Sequence, residues 1–376
     1  MSALPRVFIV ATALLATLTA AAAEPLRIPV LVPITGFLAL EGTSQRNGAE
    51  LALRGSGVDF DVNDTATSPE IAVNAFERAL TSGRARDDVI AVVAPMLGTQ
   101  MLALIPLADE FNVPMVTVSG TARITELGSA NVFRFFPGDV VVKAAHARYA
   151  VEELGVKRPA VIFQTTAYGQ SGRAELDRNL TALGRPAVFA EGLDVSVKDM
   201  LPVLSKVRES GADALLLHLH SGPTALVVRQ ARAMGLDIPI IAGSAMHQPE
   251  TAALLAPSEL AGVCAESGAS PISESDPATR AFADAYRTAF DREPDAFALG
   301  QYDGVQMLLA AVRAGAKSAA DIRAYLASRR YRGLAMTYAS DGKGNMAHDA
   351  LILCYDGSGN APRIVKRYDN VDGVLE

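Results

Sequence analysis

Short polar residues follow nearly every apolar run of this chain, and their types suit the binding of a small polar or charged group. Glycine, serine, threonine and tyrosine offer free backbone N–H groups and hydroxyls rather than a nucleophile beside its base. The clusters lie at residues 34–37 with 41–42, 96–100, 119–121, 165–169, 220–222 and 243–244. Their chemistry is that of hydrogen bonding, which favours capture of a small molecule over its conversion.

Apolar runs alternate with segments of helical period, and this alternation positions the polar clusters. The extended runs are 28–33, 60–63, 89–94, 115–119, 160–164, 188–191, 214–220, 238–242 and 263–265. The helical segments are 46–54, 71–81, 101–111, 141–154, 172–183, 197–210, 225–234, 249–255, 277–290, 302–314 and 321–328. The pattern predicts βαβ units around parallel sheets, with turn-rich hairpin material from 340 onward. Ligands of such sheets lie beyond the carboxyl ends of the strands, where we expect the polar clusters to meet.

Length, charge and the first residues narrow the class of protein. Residues 1–23 carry Arg6, an apolar stretch and three alanines before Glu24, a pattern typical of a cleavable export signal. The remaining roughly 350 residues are too many for one core and suit two lobes. A net charge of −7 argues against a nucleic-acid partner. We therefore expect an exported protein that binds no nucleic acid.

The chain has two cysteines, Cys264 and Cys354, and each lies within an apolar run. In an oxidising compartment such a pair is a candidate disulfide. Two buried free thiols are the alternative.

The order and spacing of several motifs resemble one known family. The motifs are Pro-Ile-Thr-Gly at 33–36, Asn-Gly-Ala-Glu-Leu-Ala at 47–52, Val-Pro-Met-Val at 113–116 leading into 119–121, Phe-Arg at 133–134, Tyr-Gly at 168–169, Glu-Pro-Asp-Ala-Phe at 293–297 and Gln-Tyr-Asp-Gly at 301–304. Across essentially the whole mature chain they resemble the leucine/isoleucine/valine-binding protein family, the periplasmic solute-binding proteins of branched-chain amino-acid-type ABC transporters.

The resemblance implies an α/β chain with the type I periplasmic binding protein fold. In that fold two doubly wound parallel-sheet lobes are joined by three crossing segments, and the ligand lies between the lobes. On this sequence lobe 1 would be 24–136 plus 271–334, and lobe 2 would be 140–267 plus 338–376. The crossings would fall near 136–140, 267–271 and 334–338.

The resemblance also implies ligand-binding residues. Ser119 and Thr121 match the segment that grips the ligand carboxylate and amino group. The preceding loop has Gly98 where the family usually has serine, so Thr99 or the Gly98 N–H would replace that contact. Tyr168 matches an aromatic wall from lobe 2, and His220 is a further candidate at a strand end.

The residue that binds the ligand cation is left open by the sequence. The family's acidic residue after the eighth strand corresponds to Ser244 here. Glu41 or Asp303 could take over that role, or the ligand has no cation. The alternatives are a solvated loop acid for Glu41 and a helix cap near Gly304 for Asp303.

The sequence thus predicts a periplasmic solute-binding receptor that closes around an amino acid, an amide or a small organic acid and delivers it to an ABC transporter permease. No cofactor and no metal are expected. A ligand-sensing periplasmic receptor is one alternative. A secreted hydrolase using Glu41 and Asp303 is another, but the chain has no nucleophile elbow, phosphate loop or zinc-protease motif, so we expect no enzyme.

Overall fold

The computed structural model describes residues 25–81 and 88–375, and the predicted export signal lies outside them. The strands are β1 Val30–Val32, β2 Val62–Asp64, β3 Val92–Val93, β4 Met115–Thr117, β5 Val132–Arg134, β6 Pro159–Gln164, β7 Phe189–Leu193, β8 Ala214–His218, β9 Ile240–Ala242, β10 Val263–Ser267, β11 Tyr331–Arg332, β12 Thr337–Tyr338, β13 Ala350–Cys354 and β14 Arg363–Tyr368. The helices are α1 Ala39–Leu53, α2 Pro69–Thr81, α3 Gly98–Phe111, α4 Arg123–Glu126, α5 Asp139–Arg148, α6 Ala167–Ala182, α7 Leu201–Glu209, α8 Ser221–Ala233, α9 Pro249–Ala252, α10 Pro257–Leu260, α11 Pro277–Phe290, α12 Ala296–Arg313 and α13 Ala319–Ser328. A π-helical turn, Tyr149–Glu153, extends α5, and a 3-10 turn, Ser244–His247, follows β9.

The first sheet has five parallel strands in the order β2, β1, β3, β4, β5. Strands β1 and β3 are apolar and buried, and β4 and β5 are buried too, as expected of a parallel sheet covered by helices, whereas the edge strand β2 is largely polar and only partly buried. Helices α1 and α12 pack against each other and contribute to its main core, which contains Val30, Val116 and Leu308. Tyr338 and Met346 also pack in this core, although the sequence assigns 338–376 to the second lobe.

The second sheet has seven strands in the order β14, β13, β10, β9, β8, β6, β7. Strands β6 to β10 are parallel, whereas β13 and β14 form an antiparallel hairpin at one edge. Every residue of β8 is buried, which explains its continuous apolar run. A disulfide joins Cys264 of β10 to Cys354 of β13, which face each other in the ladder.

The predicted fold class is confirmed, since two helix-covered sheets with parallel strands are both present. The sequence interpretation missed β5 and the two-residue strands β11 and β12. It also placed the start of α12 at 302, whereas the helix begins at Ala296 because the Asp295 carboxylate caps it by accepting from Ala298 N at 2.8 Å.

Elements of the two sheets contact each other directly. Ala122 N donates to Ser171 Oγ at 2.8 Å, and Gln248 Nε2 donates to Asp295 Oδ2 at 2.6 Å. The molecule is therefore in a closed form. Among residues 25–81 and 88–375, no helix is apolar enough over sufficient length to cross a membrane.

Candidate functional site

A pocket lies where the two sheets face each other, next to the carboxyl ends of several strands. The space between its walls is about 480 Å³, including the part open to solvent. Most of the wall is apolar: Leu38, Met96, Leu97, Val118, Phe136, Pro137, Val142, Ala245 and Phe297. The polar lining residues are Glu41, Tyr168, His220, Ser244, Asp139 and Glu266. An apolar pocket with a few convergent polar groups is the usual form of a small-molecule site.

Asp139 is the most unusual of these polar residues. It begins α5 and is fully buried, and neither of its carboxylate oxygens has a well-formed hydrogen bond among the described residues. Nearby groups are His218 Nε2, 3.6 Å from Oδ1, and the Ser171 hydroxyl. Burial raises the pKa of Asp139 to about 7, against the attraction of the Lys143 ammonium and the contact with the Ser171 hydroxyl, which both lower it. Buried carboxylates are normally hydrogen-bonded, so two free oxygens facing a pocket mark a place for a donor group.

A buried ion pair lies beside Asp139. Lys143 Nζ is 2.8 Å from Glu266 Oε1, and His146 Nδ1 is 3.0 Å from Glu266 Oε2, with all three side chains inaccessible to solvent. Burial alone would raise the pKa of Glu266, but Lys143 and His146 hold that pKa below its usual value. Ser244 N and Oγ donate to the same carboxylate at 3.0 and 3.1 Å. The charge of Glu266 is therefore balanced by the protein itself.

Glu41 links the two halves of the closed form. Its Oε1 accepts from Ser221 N at 3.1 Å and from Ser221 Oγ at 2.5 Å, at the start of α8. A carboxylate at a helix N-terminus is stabilised by the free N–H groups and the helix dipole. Burial raises the pKa of Glu41, and its Oε2 has no partner among the described residues. Glu41 is thus both a contact between the halves and an acceptor still available to a ligand.

Residues 119–121, called the anchoring loop below, follow β4 at the edge of the pocket. Gly120 lines the pocket, while the hydroxyls of Ser119 and Thr121 are buried without partners among the described residues. The N–H groups of Gly120 and Thr121 are likewise unpaired in the described chain. Helix α3 begins at Gly98, which lies against the Thr121 side chain, so the free N–H groups of its first turn are close by. Together these donors form a site suited to an anion.

Aromatic side chains from the second sheet cover the pocket. The rings of Tyr168 and His220 are stacked with centroids 5.3 Å apart, and the His220 ring also contacts Phe37. Burial lowers the pKa of His220 to about 4, so the ring is neutral at pH 7. His218 lies behind Tyr168, and its Nε2 donates to the Tyr168 carbonyl at 3.1 Å. These residues supply a wall without a positive charge.

Four of the predicted site residues line the pocket: Glu41, Tyr168, His220 and Ser244. Ser119, Thr121, Gly98 and Thr99 lie next to it in the anchoring loop and the first turn of α3. A Cβ atom on Gly98 would lie 2.1 Å from Thr121 Oγ1, so Thr121 occupies the space that a serine would need. Thr99 is half-buried as the second residue of α3.

The structure corrects the prediction for Asp303. Its Oδ1 accepts from Leu334 N at 2.9 Å, and its Oδ2 accepts from Ala335 N at 2.8 Å and Tyr338 Oη at 3.1 Å. Asp303 does not line the pocket, and because α12 begins at Ala296 it does not cap a helix either. It holds the segment that follows β11 in place.

The sequence interpretation missed Asp139, Lys143, His146 and Glu266. A signal was present, because 139, 143 and 146 are spaced four and three residues apart and so share one face of α5. Glu266 lies in an apolar strand, where an acid is rare unless it is paired. Neither the spacing on α5 nor the acid in the apolar strand shows by itself that Lys143 and His146 pair with Glu266.

Comparison with known proteins gives a consistent result. A family model described as periplasmic binding protein matches residues 25–360. An amino acid binding protein of Pseudomonas aeruginosa is 29% identical over 349 residues, covering 88% of this chain and 90% of the relative. The leucine binding protein LivK of Thermotoga maritima is similar in structure, with a TM-score of 0.82 and 25% identity over 92% of this chain and 99% of that chain.

A solute binding protein of Rhodopseudomonas palustris in complex with 3,4-dihydroxy benzoic acid has the same fold. Its TM-score is 0.83 at 20% identity, covering 93% of this chain and 98% of that chain. The family prediction is confirmed by the match to most of the chain. This chain belongs to the periplasmic binding proteins, in the leucine/isoleucine/valine-binding family.

Proposed function

We propose that this protein captures an amino acid with an apolar side chain and delivers it to an ABC transporter permease. The observation that carries the proposal is the pair of unpaired, buried oxygens of Asp139 in a largely apolar pocket. A ligand ammonium would satisfy both through charge-assisted hydrogen bonds. The names of the relatives support this class, since one is an amino acid binding protein and another a leucine binding protein.

The charges of the pocket favour a ligand that carries a cation. Glu41, Asp139 and Glu266 line the pocket, and within the described chain no lysine or arginine does. Lys143 balances one of these carboxylates, Glu266. A simple carboxylic acid would bring a further uncompensated negative charge into a buried space, which is costly at low dielectric. The ammonium of an amino acid removes that cost.

The anchoring loop and the start of α3 would hold the ligand carboxylate, and the apolar wall would hold its side chain. We expect Thr121→Ala to weaken binding by at least about tenfold, because one hydrogen bond to a charged group contributes about 1.5–3 kcal/mol. Calorimetric titration measures the change. Thr279→Ala is the matched control, since this threonine is equally buried but its hydroxyl donates to Asp276 Oδ2 at 3.3 Å outside the pocket, and its effect should be under threefold. Equal losses in the two variants would contradict the role of Thr121.

Closure is expected to depend on Glu41, which we propose to act on both the ligand and α8. Glu41→Gln keeps the shape but removes the charge that faces the helix start and the ligand. Binding should weaken about tenfold, and small-angle scattering should show a more open molecule at the same ligand concentration. Ser221→Ala removes the hydroxyl contacts with Glu41 and with Gln248 Oε1 but keeps the Ser221 N–H and the Glu41 charge, and it should have the smaller effect. A larger effect of Ser221→Ala than of Glu41→Gln would mean that closure depends on the Ser221 hydroxyl and not on the charge of Glu41.

The ligand class is tested with compounds that differ by one group. We expect leucine to bind with micromolar affinity, about −8 kcal/mol. Leucinamide, which lacks the carboxylate, and 4-methylpentanoate, which lacks the amine, should both bind more weakly, with the second at least a hundredfold weaker. Ligand carried through purification is first identified by mass spectrometry after mild unfolding. Tighter binding of 4-methylpentanoate or benzoate than of leucine would contradict an amino-acid receptor.

The family to which the chain belongs is periplasmic, and its members are binding proteins of transporters rather than enzymes. We infer that residues 1–23 are removed on export, which the mass of the exported protein would test. We further propose lobes at 24–136 plus 271–347 and at 140–267 plus the segment after 347. Packing of Met346 with the first sheet supports a third crossing after 347 rather than at 334–338.

A further inference from the structure

The guanidinium of Arg134 lies behind the anchoring loop, outside the pocket. Arg134 ends β5 and is 1% exposed. Its Nη1 donates to three consecutive carbonyl oxygens, those of Ser119, Gly120 and Thr121, at 3.4, 3.1 and 2.8 Å. In a trans peptide the N–H points opposite to the C=O. The carbonyls that face Arg134 therefore turn the N–H groups of Gly120 and Thr121 away from it.

The same side chain also reaches the chain segment that leads to the second sheet. Arg134 Nε donates to Asn345 Oδ1 at 3.0 Å, and Nη2 donates to Asn345 Oδ1 and to Thr125 Oγ1. The backbone adds two contacts, Arg134 N to Gly344 O at 2.8 Å and Met346 N to Arg134 O at 3.1 Å. A few residues later the chain enters β13 of the seven-stranded sheet.

The guanidinium of Arg134 is tightly packed against Gly138. A Cβ atom on Gly138 would lie 2.4 Å from Arg134 Cζ, so the guanidinium occupies the space above the residue that precedes α5. Burial lowers the pKa of Arg134 to about 10, which still leaves it charged at pH 7. A lysine in its place would offer a point charge instead of a planar fork and could not reach all these acceptors together.

We propose that Arg134 is a positioning residue for ligand capture. It orients the free N–H groups of the anchoring loop toward the ligand carboxylate and ties that loop to segment 344–346. The inference rests on the proposed function for the identity of the ligand group, but not for the ordering of the loop.

The first test compares leucine with leucinamide in Arg134→Lys. We expect the affinity for leucine to fall at least tenfold and that for leucinamide to fall less than threefold, because Arg134 acts through the loop that receives the carboxylate. Equal losses for the two compounds would overturn the proposal and leave a general structural role. Arg323→Lys is the matched control: Arg323 donates to Asn131 Oδ1 at 3.0 Å in the same half of the molecule, and both affinities should stay within twofold.

The second test needs no ligand. In hydrogen exchange of the ligand-free protein, Arg134→Lys should speed exchange of the amides of Ser119 and Ile124 at least tenfold, whereas Arg323→Lys should not. These amides donate to Thr117 Oγ1 and to the Thr121 carbonyl within the same half of the molecule. Asn345→Ala, which keeps the arginine, should give a smaller change in the same direction, and it replaces Arg134→Lys if that variant does not fold. Unchanged exchange in these variants would overturn the proposal. If the wild-type protein fails to bind leucine while the exchange result holds, the proposed ligand is wrong and the positioning role stands.

Discussion

Replacing Asp139 with asparagine should weaken the binding of leucine by about thirtyfold to 150-fold. The change keeps the size of the side chain but removes the charge that the ligand ammonium would meet. It also introduces an amide N–H₂ donor at the position where the ligand ammonium, itself a donor, needs an acceptor. Loss of hydrogen bonds to a charged group costs about 2–3 kcal/mol, which corresponds to this factor. Calorimetric titration of the wild-type and Asp139→Asn proteins measures it.

The ligand-free melting temperature separates this effect from unfolding. Because burial raises the pKa of Asp139 from 3.8 to about 7, ionisation of this side chain lowers the stability of the folded protein progressively between these two values, and the full cost is present above about pH 7. Asp139→Asn should therefore melt at pH 8 no lower than wild type. Asp303→Asn is the matched control, since that carboxylate is also buried but lies outside the pocket, and its leucine affinity should change less than twofold. A similar loss of affinity in both variants would refute the role of Asp139.

The pKa of Asp139 also predicts how affinity depends on pH. Below about pH 7 the ligand-free carboxyl holds a proton that the ammonium must displace, so binding should weaken roughly twenty-five-fold between pH 7.5 and 5.5. The raised pKa of Glu41 acts in the same direction. Titrations in buffers of different ionisation enthalpy should show proton release on binding. In Asp139→Asn the affinity for leucine should depend less steeply on pH. An unchanged pH dependence would mean that another group titrates.

Much of the fold could be predicted because its signals are local. The apolar run at 214–220 and the helical period at 277–290 each depend on neighbouring residues, and both elements are present as β8 and α11. The position of the polar clusters followed from one rule about strand ends. Glu41, Tyr168, His220 and Ser244 could therefore be assigned to one pocket from the sequence alone.

The electrostatics of the pocket could not be predicted in the same way. From the sequence, Asp303 was a candidate to bind the ligand cation because it lies in a family motif. Its partners are instead backbone N–H groups of residues 334 and 335, which are brought close only by the fold. Conversely, Ser244 occupies the position of the family's acidic residue. Its hydroxyl donates to Glu266, an acid that lies on the neighbouring strand β10. Which acid faces the ligand is decided by contacts between distant segments, and these leave no local period in the sequence.

The second large effect is expected at Lys143. Lys143→Met should lower the free energy of unfolding by about 3–5 kcal/mol, because it leaves the Glu266 charge buried without its cation. His146 cannot replace the ammonium at neutral pH, since burial lowers its pKa. Chemical denaturation at pH 7.5 measures the change. A second substitution, Glu266→Gln, should recover most of the loss, because an amide oxygen can still accept from Ser244 without a charge to balance.

An exposed ion pair of equal length provides the matched control. Lys206 Nζ is also 2.8 Å from its partner, Glu191 Oε2, but that lysine side chain is 54% exposed. Water already solvates both ions there, so Lys206→Met should cost less than about 1 kcal/mol. The comparison holds the distance constant and varies only the burial. If the two lysine variants lost the same stability, Glu266 would have to be uncharged in the folded protein, and Asp139 with Glu41 would then be the only charged carboxylates at the pocket in the described part of the chain.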